Sequence, residues 1–141
     1  MNITIGENLH LTIYGFAGTA VNKDYVKTAF QLSDAMWRVV KDNKLDNKGK
    51  NIWVYEANDK VFAGVEVNGH HAELEEKQIH LPKYAYYKHI GPYSLIKQAG
   101  QQMTEEIKKL GLAIQSPYIE IYGHWTNDES KLETELIMCL K

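Results

Sequence analysis

A single cysteine, Cys139, stands in a chain of 141 residues, so no internal disulfide framework can form and no multi-cysteine zinc site can be built. Charge of one sign is equally scarce. Sixteen Lys and Arg face eighteen Asp and Glu, a net charge of −2, which is no electrostatic footprint for non-specific nucleic-acid binding. Apolar runs extend only a few residues, too short for a transmembrane helix. The start, Met1-Asn2-Ile3-Thr4, lacks the basic opening and apolar block of a signal peptide. A soluble, cytoplasmic protein is the expectation. Phenylalanine is also sparse, with three residues against nine tyrosines and three tryptophans. Tyr and Trp carry a polar handle that suits wet or ligand-lined surfaces, although Tyr also fills half-exposed strand positions.

What is present is an ordinary globular mix, 44% apolar and 24% charged, in a chain long enough to bury one core. A single domain over 1–141 is expected. It divides into two pseudo-repeats, 1–67 and 74–141. Ile52-Trp53-Val54-Tyr55 and Ile119-Glu120-Ile121-Tyr122 share a pattern of Ile, large residue, β-branched residue, Tyr. Each is followed by a polar turn and then by a strand-like run with a glutamate, Glu66 or Glu135. A helical stretch precedes each pair, and a short strand precedes each helix. The plan is strand, helix, strand, strand, stated twice. Two such halves cannot each bury a sheet face alone. Together they predict an α+β fold in which duplicated βαββ units form one antiparallel sheet with both helices on one face.

In the second helix, Ile96, Ala99, Met103, Ile107 and Leu110 fall on one stripe, with Gly91-Pro92 as entry and Gly111 as stop. The first helix is expected from about Lys23 to Lys41, capped by Asn22, with Ala29, Leu32, Met36 and Val40 as its stripe and Phe30 and Trp37 widening it. These Met-bearing stripes read as core. Asn68 to Ala72, between the halves, reads as a turn or linker. The segment from Glu75 reads as an edge strand broken at Pro82, with a further strand from Tyr84 to His89.

Side chains alternate across a strand. Ile52, Val54, Ile119 and Ile121 form one set, the natural floor for the helices. Trp53, Tyr55, Tyr118, Glu120 and Tyr122 form the other, expected on the face away from them. An aromatic face with one carboxylate suits a flat or bulky organic cation. A solvated face with incidental tyrosines is the alternative. The histidines show no metal-ligand spacing: His70-His71 are adjacent, and His10, His80, His89 and His124 are scattered. No phosphate loop, nucleophile elbow or HExxH motif occurs, and neither a cofactor nor a metal is expected. Cys139 reads as a small buried hydrophobe in the last strand.

The segment Lys83-Tyr84-Ala85-Tyr86-Tyr87-Lys88-His89-Ile90-Gly91-Pro92-Tyr93 resembles a signature of the GyrI-like effector-binding family, the ligand domain of AraC-type and MerR-type multidrug regulators that also occurs alone. Tyr118 to Tyr122 and Leu132 to Leu136 resemble it too. The resemblance implies a drug-sized pocket on the sheet and a buried glutamate, by position Glu120, that pairs with cationic aromatic ligands. It places Tyr93 at the pocket mouth. Half one shows Gly18-Thr19-Ala20 where half two has Gly-Pro-Tyr, which makes its contacts less defined. The fold is expected to use the whole chain, leaving no length for a DNA reader, so direct nucleic-acid binding is not expected. The function expected is therefore a standalone protein that senses or sequesters hydrophobic cations. Two alternatives come from the same family: hydrolysis of cyclopropane-containing genotoxins, and a gyrase-inhibitor-like interaction with an unknown protein.

Overall fold

A computed structural model describes residues 1–69 and 71–141. His70, half of the adjacent histidine pair, lies outside the described residues. The elements run β1 (Thr4–Thr19), α1 (Tyr25–Asp42), β2 (Asn51–Glu56), β3 (Lys60–Val65), β4 (Glu75–Ile90), α2 (Ile96–Lys109), β5 (Ile114–Tyr122) and β6 (Glu133–Leu140). The order strand, helix, strand, strand thus occurs twice, and every strand pairing is antiparallel.

The sheet closes on itself in the order β1-β3-β2-β5-β6-β4, with β4 paired back to β1. Closure changes which face does what. Ile52, Val54, Ile119 and Ile121 point into the barrel, where they meet Ile13, Phe62, Leu81, Ile137 and Cys139. The aliphatic set therefore packs against itself and is not the floor of the helices. Both helices cover the outer face, the one that carries the aromatic set. A closed sheet supplies its inner face with its own partner, which leaves the outer face free for helices.

The helix stripes hold with small shifts. Ile96, Ala99, Met103 and Ile107 are buried over Ala85, Leu136, Met138 and Leu140. Leu110, at the helix end, is exposed. Gly111 takes φ +74 and donates its N–H to the Lys108 carbonyl at 2.9 Å, a left-handed stop that glycine adopts without strain. In α1, Met36 and Val40 pack on Tyr14, Val65 and Leu74, and Ala29 packs beside Trp53, Val61 and Ala63. Leu32 is only half-buried, whereas Ser33 is buried. The cap is Asp24, whose carboxylate accepts from the Lys27 N–H at 3.2 Å. Asn22 sits two residues earlier in a left-handed conformation.

Strands β1 and β4 are both 16 residues long, so β1 is not short and β4 does not break at Pro82. The β1 ladder passes over Pro82, from Lys83 opposite Glu7 to Leu81 opposite Leu9, and pairing with β6 begins only at Tyr84. A missing N–H costs little at such an unpaired position. Gly15 marks a close crossing: it pairs with Gly64, and an added Cβ would lie 1.8 Å from the Ala63 carbonyl oxygen.

Cys139 is 3% exposed inside the barrel. Its thiol is expected to label slowly with a thiol reagent in the native protein and fast in denaturant. Equal rates in the two conditions would show that β6 frays.

Candidate functional site

The antiparallel register of β2 and β5 sets Trp53 directly opposite Glu120, and Tyr55 opposite Tyr118. Alternation then puts Tyr122 on the same outer face. Facing rings make contact: Tyr55 stacks on Tyr118 with centroids 5.9 Å apart, and Trp53 meets Tyr122 edge-on at 4.8 Å. Tyr93, in the turn ahead of α2, meets the other side of Tyr122 at 5.6 Å.

Glu120 lies among these rings and is only 8% exposed. The Tyr122 hydroxyl donates to its Oε1 at 2.6 Å and the Tyr118 hydroxyl to its Oε2 at 2.8 Å. A third phenol, Tyr55, donates to Oε1 at 3.4 Å. All three phenols are held well above the usual tyrosine range, first by burial and then by the charge and hydrogen bonds of Glu120. They stay protonated at any physiological pH and serve Glu120 as donors. The result is a buried carboxylate solvated by phenols in place of water.

Above this floor lies a cavity of about 1020 Å³ between the two helices. All six residues singled out from the sequence (Trp53, Tyr55, Tyr93, Tyr118, Glu120 and Tyr122) line it. The α1 wall adds Tyr25, Val26 and Phe30, the α2 wall adds Ile96, Lys97, Gln101 and Thr104, and Trp125 closes one side. Phe30 does not widen the core stripe of α1. It is 56% exposed and meets Trp53 edge-on at 5.0 Å, as an aromatic rim. Trp37 is half-buried and donates its indole N–H to Asn51, which Ser33 also reaches at 3.1 Å. That pair of bonds ties α1 to the start of β2. The α1 contributions lay beyond sequence reasoning because each helix was expected on the opposite face from the aromatic set. An aromatic next to the buried stripe residue Ala29 is the one signal that pointed toward Phe30.

The lining is mainly apolar and aromatic, with few polar groups. Glu56 is engaged by Lys77 at 2.7 Å. The Trp53 indole nitrogen is buried with no hydrogen-bond partner among the described residues. His89 is buried, with Nε2 3.1 Å from the Pro92 carbonyl, and so braces the Gly91-Pro92 turn. Among the described residues, no group of three or more His, Cys, Asp or Glu side chains gathers as a metal site, and no helix is long and apolar enough to cross a membrane.

A six-stranded antiparallel barrel carrying two outer helices, with an aromatic cavity over a buried carboxylate, defines a small-molecule-binding domain. The model of the GyrI-like small molecule binding domain matches residues 31–141, and the chain belongs to that family. No curated protein matches it. Among solved structures it is similar to the EcmrR C-terminal domain, with a TM-score of 0.78, 15% identity, and coverage of 99% of this chain and 97% of that one. It is similar to SAV2435 bound to tetraphenylphosphonium, with a TM-score of 0.69, 18% identity, and coverage of 100% and 94%. A hydrolase from Listeria innocua is also similar, with a TM-score of 0.62, 10% identity, and coverage of 99% and 91%. At these identities the neighbours establish the fold alone.

Proposed function

We propose that this protein binds hydrophobic aromatic cations in the cavity between α1 and α2, as a sensing or sequestering protein. The observation that carries the reading is Glu120, a buried carboxylate ringed by phenols on the floor of an aromatic cavity. The two parts of the site contribute differently. A ligand that removes roughly 200 Å² of apolar surface from water gains about 5 kcal/mol, whatever its charge. A charge-assisted contact adds about 1–3 kcal/mol. Shape therefore supplies most of the affinity, and Glu120 supplies the preference for a positive centre. Ring faces turned toward the same centre reinforce that preference by about 0.5–2 kcal/mol. The neighbour bound to tetraphenylphosphonium, four phenyl rings on a cationic phosphorus, supports the same chemistry.

The test is a pair of titrations by fluorescence anisotropy, one with a planar cationic dye such as a rhodamine ester and one with a neutral dye of similar size. The cation is expected to bind at least roughly tenfold more tightly. Equal affinities, or a preference for the neutral or an anionic dye, would overturn the reading.

A further inference from the structure

His10 and His80 stand 70 positions apart in the sequence but directly opposite each other in the β1–β4 ladder. Both side chains are exposed. Their rings stack with centroids 4.2 Å apart and planes within 6° of parallel. Neither ring has a hydrogen bond among the described residues, so their mutual stacking is the contact that orients them. Next on the same face stand Thr12 and Gln78, again directly opposite each other, and then Tyr14 and Glu76. The Glu76 carboxylate is occupied by the Tyr14 hydroxyl at 2.7 Å and by the Gln78 amide at 3.4 Å. On that side the histidine pair has neutral neighbours and an engaged carboxylate; on the other side Glu7 and Lys83 stand opposite each other in the same ladder.

We propose that His10 and His80 form a two-histidine site for a nitrogen-seeking divalent transition metal, Ni²⁺, Cu²⁺ or Zn²⁺, that staples β1 to β4. An imidazole binds such an ion through the lone pair of a ring nitrogen, at about 2.0–2.1 Å, so two nitrogens on one ion lie roughly 3 Å apart. Parallel rings direct their lone pairs side by side. Turning each ring about its Cβ–Cγ bond, a broad and nearly free torsion, makes them converge. The strands already hold the two Cβ atoms at the separation of directly opposed residues, about 4.5–5.5 Å, so no backbone change is needed. Water completes the coordination shell. The donor set is imidazole without carboxylate, which selects Ni²⁺, Cu²⁺ and Zn²⁺ over Ca²⁺ and Mg²⁺. Protons compete for the same lone pairs, so binding weakens in acid.

The experiment is calorimetric titration of the whole chain with NiCl₂ and CuCl₂ at about pH 7.5, paired with thermal melts with and without metal. One ion per chain is expected to bind, and metal is expected to raise the melting temperature. His10→Ala and His80→Ala should each weaken binding at least roughly tenfold and abolish the rise in melting temperature, since one remaining imidazole cannot bridge two strands. Both positions are exposed, so each variant should melt like the parent without metal. The double variant His70→Ala/His71→Ala serves as the control and should bind as the parent does. One-to-one binding and a thermal shift that persist in either single variant, or that vanish in the His70/His71 variant, would overturn the proposal.

Discussion

Gly15→Ala is expected to leave the protein largely unfolded. A Cβ at this position would fall 1.8 Å from the Ala63 carbonyl oxygen and 2.7 Å from the Gly64 Cα. Both obstacles are backbone, so no rotamer change relieves the overlap. Gly15 pairs with Gly64 on one side and with Glu75 on the other, so β1 cannot move away from β3 without straining its pairing with β4. Overpacking of a tight site ordinarily costs about 1–3 kcal/mol, and a backbone collision between paired strands belongs above that range. Typical domains hold only about 5–15 kcal/mol in reserve. Urea melts followed by tryptophan fluorescence provide the measurement. A midpoint within error of the parent would show that β1 and β3 separate easily there, and that the barrel seam is loose. Gly69, where an added Cβ meets nothing, offers a contrast in steric terms, although its φ of +85 carries a strain of its own.

Glu120→Gln should cost a cationic ligand about 1–3 kcal/mol, roughly 5- to 150-fold in affinity, and leave a neutral ligand of the same shape nearly unchanged. Glutamine keeps the volume and still offers an oxygen to one of the phenols that now donate to Glu120. Another phenol can turn its hydroxyl to accept from the new amide. The rings thus keep their places while the countercharge disappears. Trp53→Ala provides the opposite signature. It removes ring surface facing Tyr122 and Phe30 and should weaken cationic and neutral ligands alike. Equal losses for both ligands in Glu120→Gln would make the residue a structural support for its tyrosines. No loss for either would place the ligand elsewhere.

The sorting of side chains between the two faces of β2 and β5 was legible because it is local. Alternation separates Ile52 and Val54 from Trp53 and Tyr55, and Ile119 and Ile121 from Glu120 and its tyrosines, whatever the rest of the chain does. The helix stripes were legible for the same reason, since a period of three to four residues is local information. Barrel closure was not. It depends on β1 pairing with β4, between residues some 60 to 80 positions apart, and no pattern within either strand specifies its partner. Without closure, the aliphatic face needs the helices as cover, which is why the aromatic set was expected on the face opposite them. With closure, the helices move to the aromatic face and become walls of the cavity. Phe30, Val26 and Lys97 belong to the site only through that placement. The His10–His80 contact was hidden by the same long-range pairing.

Glu120 is proposed to receive the positive centre of the ligand. A crystal structure with a bound cationic dye tests it most directly. The charged group is expected within about 4–6 Å of the Glu120 carboxylate, and its aromatic plane against the rings of Trp53, Tyr55, Tyr118 or Tyr122. A dye seated outside the cavity, or one lying in it with its charge turned toward the solvent and away from Glu120, would contradict it.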